Sequence, residues 1–284
     1  MNKFEEHYFP LKKKFPRHGK RFSRSGELPA RHTRCAGGDL TLFEISCPSP
    51  VPEVTGKKIV FISDWHWANS QLNKKRLAAL AAAVEKLHPE VLLLGGDLCD
   101  DAEFLDTLPE LLKELAALAP HVIAVNGNWE AGKQWLKPDF FAGLYAQYGI
   151  TLLENEDITA GDFHIFGLPD ISSINFRKIP PPEAVSGKAA ILLAHSPDTI
   201  IAADSGFFMK DFHLALCGHT HGGQVRIPLV GALYCPSFYR TKFAEGIFAR
   251  RGANLKMIVS RGIGEHHSTV RIFCPPEAVI VEFC

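Results

Sequence analysis

With 284 residues, 46% of them hydrophobic and 22% charged, the chain has the size and composition of one large globular domain or two small ones. It holds no run of about 18 apolar residues and it starts polar and basic, so neither a transmembrane helix nor a secretory signal is expected. The formal charge of zero conceals an uneven distribution: residues 1–34 carry ten Lys/Arg against three Glu, a net +7, while the remainder carries 21 against 28.

The basic stretch runs from Lys12-Lys13-Lys14 through Arg17, Lys20, Arg21 and Arg24 to Arg34, interleaved with Phe4, Tyr8, Phe9, Phe15 and Phe22. One reading is an arm lying on an anionic membrane surface, with aromatics at the interface. The other is a solvated, disordered tail. Nucleic-acid binding is the weakest of the options, because the acidic remainder suggests no second basic groove. Residues 1–49 are thus expected to be an N-terminal arm. Within it, residues 39–46 alternate apolar and polar, the pattern of an edge strand, before Pro48, Pro50 and Pro52 interrupt the chain.

Residues 50–284 read as a single catalytic domain. Strands are expected at 58–63, 91–94 and 122–125, with helices over 72–87 and from about Pro109 to 118 between them. This βαβαβ series predicts an α/β fold with a parallel sheet covered by helices. After a helix near 140–147, short strands are expected at 150–153, around 158 and at 163–166. Buried strands follow at 190–194 and 214–217, and strands and loops continue to 279–283. Seven cysteines, an odd number with no C-x-x-C pair, point to buried thiols in a reducing compartment, not to disulfides or a zinc knuckle.

Five clusters stand at the ends of these strands: Asp64-Trp65-His66, Gly96-Asp97, Gly127-Asn128, His195 and Gly218-His219-Thr220-His221. Loops beyond the carboxyl ends of strands converge on one crevice in α/β proteins. Asp64 and His66 are two residues apart, as are His219 and His221, so each pair can point to one side of an extended segment. Asp97 can turn one oxygen to each of two cations, and Asn128 offers a neutral carbonyl oxygen. Carboxylate, amide and imidazole together suit Mn, Fe or Zn better than Mg or Ca. Two such ions about 3.5–4 Å apart can clamp an in-line displacement at phosphorus. A lone D-x-H or GD carries little information; five clusters in this order carry a great deal.

These residues resemble the calcineurin-like metallophosphoesterase family, over roughly residues 57–284. Gly218 to Gln224, Ser260-Arg261-Gly262-Ile263-Gly264 and Arg271 to Glu277 are similar to a bacterial branch. That branch contains membrane-associated phosphodiesterases and a UDP-2,3-diacylglucosamine pyrophosphatase. The resemblance implies a sandwich of two mixed sheets flanked by helices. It also implies one metal on Asp64, His66, Asp97 and His221 and a second on Asp97, Asn128, His195 and His219. Asp97, Asn128 and His195 are then also the catalytic core. The implied setting is cytoplasmic, with the arm peripheral at the inner membrane face, and the implied substrate is a phosphodiester or a nucleotide-linked lipid.

One position departs from the family pattern: where a His usually follows the Asn, this chain has Asn128-Trp129-Glu130. An indole can donate one hydrogen bond but cannot act as an acid. A phosphate leaving group, with a second pKa of about 6, tolerates that loss better than an alkyl alcohol. His266 or His267 could supply the missing function or be polar loop residues. Glu130 is expected to orient its neighbours. Arg261 and Arg271 are candidates to grip phosphate, with structural ion pairs as the alternative, and Gln224 and Arg226 are candidates to line the site. Cys99 and Cys217 are expected to be packing thiols. Phe207-Phe208-Met209 and Trp135-Leu136 are apolar stretches that suggest core more than a lipid cleft.

Overall fold

A computed structural model describes residues 18–36, 38–133, 137, 139–173, 185–204, 209, 211–266 and 270–284. The arm before His18, together with Trp135, Leu136, Phe207, Phe208 and His267, lies outside the described residues.

Two seven-stranded sheets face each other. The first runs β2 (Ala30–Arg34), β3 (Thr41–Cys47), β16 (Glu277–Phe283), β4 (Lys58–Ile62), β5 (Val91–Leu94), β6 (His121–Ala124) and β7 (Ile150–Leu152). From β4 to β7 the strands are parallel, because the helices α1 (Gln71–Leu87), α2 (Leu108–Ala116) and α4 (Phe140–Ala146) make the crossovers. The second sheet runs β1 (Phe22–Arg24), β14 (Gly246–Arg250), β15 (Lys256–Val259), β11 (Leu214–Cys217), β10 (Ala189–Ala194), β9 (Phe163–Leu168) and β8 (Glu156–Ala160). Its centre, β9 to β15, is parallel and its margins are antiparallel. These are the two mixed sheets with flanking helices that the sequence led one to expect.

Strand alternation decides which side chains fill the sandwich. Ile59 and Phe61 of β4, Leu93 of β5 and Ile191 and Leu193 of β10 point between the sheets. Val60 and Ile62 point the other way, under Leu77, Leu80, Leu111 and Leu115 of the helices. Strands buried on both faces have to be continuous apolar runs, which is why 58–62, 91–94 and 190–194 were legible. Helix α1 starts where Ser70 accepts a hydrogen bond from the Asn73 amide, at 3.1 Å, and α2 has a Pro in its first turn.

The N-terminal region differs from the expected arm. Strand β3 is internal, paired on one side with β2 and on the other with β16, so the 39–46 segment is not an edge; β2 is. Strand β1 joins the opposite sheet through Phe22, which is buried among Phe243 and Phe248. Exposed side chains disguised this: β2 (ARHTR) is held by backbone pairing and by Arg31 and His32 bonding Glu44 and Glu277, not by burial. Two short helices, α3 (Asn128–Ala131) and α5 (Pro197–Ala203), also lie outside the expected elements.

Candidate metal centre

All five clusters meet at one end of the sandwich. Asp64 follows β4, Asp97 follows β5, Asn128 follows β6, His195 follows β10, and His219 and His221 follow β11. The chain turns through the left-handed region at the exits of β4, β5 and β11. Asp64, His66, Asp97, His219 and His221 have φ of 52°, 48°, 51°, 71° and 50°, in the left-handed region that costs residues other than glycine. Such strain persists only where surroundings over-determine it, and here they do. A Cβ on Gly127 would stand 2.1 Å from Asp97 Oδ1, and one on Gly218 would stand 2.2 Å from Asp64 Oδ2. Those glycines let the ligand loops touch.

One lobe gathers four groups that can each offer a lone pair. His195 Nδ1 lies 2.8 Å from the Gly95 carbonyl and His219 Nε2 lies 2.7 Å from the Pro236 carbonyl. A carbonyl can only accept, so in the neutral imidazoles both of those nitrogens carry the proton and His195 Nε2 and His219 Nδ1 are bare. The bare nitrogens stand 3.0 Å apart. Asn128 Oδ1 is 3.0 Å and Asp97 Oδ2 3.2 Å from the same His195 nitrogen. Four converging lone-pair donors fit a divalent cation.

The other lobe holds Asp64, His66 and His221. His66 Nε2 is 3.0 Å from His221 Nε2, which is 3.7 Å from Asp64 Oδ1. On its far side His66 Nδ1 meets Asp100 Oδ2 at 3.0 Å, a carboxylate–histidine pair that fixes the imidazole for metal binding. Both Asp64 oxygens accept from the His219 amide, and its Oδ2 accepts from the Ser63 hydroxyl at 2.6 Å. The donor sets of both lobes fit two divalent ions, Asp97 standing with the second and charge-coupled to His66 of the first. His66, Asp100 and His266 also approach one another; since Asp100 holds the outer nitrogen of a ligand, we read that group as support for the first lobe.

Charge is tuned accordingly. Burial and the charge of His195 depress His219, and burial and His66 depress His221, so these two imidazoles favour the neutral form a ligand needs, whereas burial is outweighed at His66 by Asp100 and the nearby carboxylates, which raise it. Burial opposes a charge on His195, but the Asp97 carboxylate outweighs it and lifts the group well above its ordinary range. Burial would likewise raise Asp97, yet His195 holds it down to about 2. Glu130 does orient its neighbours: its oxygens accept from the amides of Asp97 and Gly127, both at 2.9 Å, and of Leu98 at 2.8 Å. Burial and the nearby Asp97 push Glu130 to about 7, against those amides, which favour its anion.

The expected phosphate grips have other employment. Arg261 pairs with Glu245 at 3.0 Å and with Glu277 at 3.6 Å. Arg271 is buried, donates to the Gly264 and Arg261 carbonyls, and lies 3.3 Å from His221 Nδ1. These partners are those of the structural alternative, since buried guanidinium groups need several acceptors at once. Gln224 exchanges hydrogen bonds with the backbone of His266 and so ties that loop to the metal centre. Trp129 donates its backbone N–H to Asp97 Oδ1 at 2.9 Å, and its ring meets His266 edge-on with centroids 5.3 Å apart. His266 also stacks on His66 at 5.2 Å, which places it at the centre, while His267 lies outside the described residues. Cys99 and Cys217 are buried thiols. Sequence reasoning missed Asp100, although an acid three residues after Asp97 was a readable signal; the carbonyls of Gly95 and Pro236 carry no signal in side-chain identity.

Fold and site together define a metal-dependent phosphoester hydrolase. Residues 57–223 match the calcineurin-like phosphoesterase family model, and the chain belongs to that family. It is 30% identical over 233 residues to phosphodiesterase YaeI of Escherichia coli, covering 79% of this chain and 81% of that protein. It is 28% identical to the metallophosphoesterase Cj0846 of Campylobacter jejuni, over 79% of this chain and 58% of the relative. With the Bacillus subtilis metallophosphoesterase YkuE it shares 24% identity, over 79% and 78%. Among solved structures, a dimetal phosphatase from Danio rerio aligns with a TM-score of 0.40 and 12% identity, over 73% of this chain and 88% of that one.

Proposed function

We propose that the bond cleaved is a pyrophosphate or phosphodiester in a lipid-linked substrate, with UDP-2,3-diacylglucosamine, split to UMP and the acylated sugar phosphate, as the favoured case. The observation that carries this reading is Trp129 beside Asn128, with its backbone committed to Asp97. That position offers nothing that can protonate a leaving oxygen. General acid catalysis is worth about 10²–10⁴-fold to an alkoxide leaving group. A phosphate leaving group, with its second pKa of about 6, departs without it. The name of the Escherichia coli relative, a phosphodiesterase, agrees with a bond other than an alkyl phosphomonoester.

Two divalent cations, for which we favour Mn, would polarise the phosphoryl oxygens and lower the pKa of an attacking water. The residues of this chain do the positioning. Asp97 stands with His195 and feels the charge of His66 in the other lobe, Asn128 and His195 orient one end, and Glu130 holds the Asp97 and Gly127 amides rigid. Preorganised groups of this kind lower the barrier because they need not reorient as charge develops. The basic N-terminal residues are proposed to keep the enzyme at the anionic inner face of the cytoplasmic membrane.

The test is Mn²⁺-dependent release of UMP from UDP-2,3-diacylglucosamine, with Asp97→Ala as control. Release that vanishes in the control supports the reading. No release from protein with both metals bound would redirect the search to other diesters. If generic diesters also survived, Trp129 would mark a metal-binding scaffold.

A further inference from the structure

Between the metal-ligand loop and Cys235 the chain leaves the body of the protein as a small hairpin. Strands β12 (Arg226–Ile227) and β13 (Gly231–Ala232) pair antiparallel, and Val225 bridges to Ile272. The outward side chains are apolar. Leu229 at the tip is fully exposed, and Val230, Tyr234 and, on the adjoining segment, Phe273 each keep 71% exposure. Ile227 and Leu233 are exposed beside them. A contiguous exposed apolar cluster on a soluble body marks an interaction site.

Positive charge stands at the root of this hairpin. Arg226 and Arg24 share one oxygen of the buried Glu245, at 3.0 and 3.1 Å. Glu245 answers Arg261 as well, so one acid faces three arginines. The turn before β1, His18–Arg21, packs on the next segment: a Cβ on Gly19 would strike the Tyr239 ring, and Lys242 donates to the Gly19 carbonyl. Lys20, Arg24, Arg240 and Lys242 are exposed on these segments, with Arg24 meeting Arg226 of the hairpin at Glu245, while Arg21 pairs with Asp204.

We infer that this hairpin docks the protein on an anionic lipid bilayer, with its apolar tip in the acyl boundary and these exposed basic residues on the headgroups. A convex apolar tip flanked by Lys and Arg is the arrangement that interfacial anchoring requires, because apolar burial and headgroup attraction then act together. The hairpin begins after His221 and returns at Cys235-Pro236, whose carbonyl holds His219, so docking brings the metal centre to the bilayer surface. The inference deepens the lipid-substrate reading and rests on it for its purpose, but its test does not need that substrate.

The full chain and the triple variant Leu229→Ser, Val230→Ser, Phe273→Ser are sedimented with phosphatidylethanolamine/phosphatidylglycerol vesicles and with neutral phosphatidylcholine vesicles. Turnover of bis(p-nitrophenyl) phosphate is followed in parallel. The expected result is wild-type binding that prefers anionic vesicles and weakens in high salt, and about tenfold weaker binding by the variant, with diester turnover changed by less than about twofold. Equal vesicle binding by variant and wild type overturns the proposal. So does a wild-type dimer that the substitutions dissolve with no vesicle binding at all, which would give the hairpin to a second copy of the chain. A wild type that binds vesicles but cleaves no diester would sink the hydrolase reading while leaving the docking surface standing.

Discussion

The two lobes of the metal centre are built alike in ligand type and differently in support. In the lobe of Asp97, Asn128, His195 and His219, both imidazoles are fixed by backbone carbonyls, of Gly95 and Pro236. In the lobe of Asp64, His66 and His221, His66 is fixed by the Asp100 side chain, and the outer nitrogen of His221 faces Arg271, whose Nη2 also meets the carbonyls of Arg261, Gly262 and Gly264. A backbone carbonyl is not removed by a side-chain substitution, whether it follows a strand, as at Gly95, or sits in a loop, as at Pro236. Side-chain support can be, and it comes from loops that also carry His266 and the exposed Phe273. The lesson is that one cation site is part of the fold, whereas the other depends on a few charged side chains.

The largest effect should come from the residue beside both lobes. Asp97→Ala is expected to lower diester turnover by roughly 10³-fold, since several kcal/mol of charge stabilisation go with the metal pair. Metal analysis should find the variant short of both ions; full occupancy with full activity would refute the shared role. Next, Gly127→Ala forces a Cβ against Asp97 Oδ1, and displacement by about 1 Å should cost on the order of 10²-fold in turnover while the fold survives thermal melting.

Asp100→Asn sharpens the comparison. It should weaken one of two steps in a calorimetric metal titration by about 10–100-fold and leave the other unchanged. Weakening of both steps alike would show that the lobes are not independently supported. Trp129→His restores an acid beside Asn128 and should raise alkyl phosphomonoester hydrolysis by about tenfold or more, with little change for a pyrophosphate bond. An equal gain on both substrates would contradict the leaving-group argument.

The smallest effect lies outside the lobes. Asp198 accepts from Ser237 Oγ and the Phe238 amide, next to the Pro236 carbonyl that holds His219, and burial pushes its carboxyl up to about 7. A carboxyl raised on folding binds a proton that the unfolded chain has released. Its contribution is therefore complete below the ordinary carboxyl range near pH 4 and disappears as pH rises towards 7. The melting temperature of the wild type should accordingly fall relative to Asp198→Asn between pH 5 and 8. Parallel curves would mean that Asp198 does not keep its proton.

Legibility followed burial. Strands β4, β5, β6, β10 and β11 are buried on both faces and read as apolar runs, so their ends, and with them every proposed ligand, could be placed from sequence. β2 could not, because its five residues are exposed and only their pairing with β3 makes them a strand. Helix α5 was missed although Ser196-Pro197 announces its start, because its seven residues are too few to show a period. Arg261 and Arg271 show the limit most clearly: their type suits a phosphate, but their partners are acids and carbonyls brought from elsewhere in the chain.

What the sequence by itself determined is the inventory of ligands and their place at strand ends, because hydrophobic period and motif spacing are local. Only the tertiary structure decided which nitrogen of each histidine is free, which carboxylate braces which ligand, and which apolar residues stay in water. Those depend on contacts between residues as far as 245 positions apart, such as His32 with Glu277, and no local pattern encodes them.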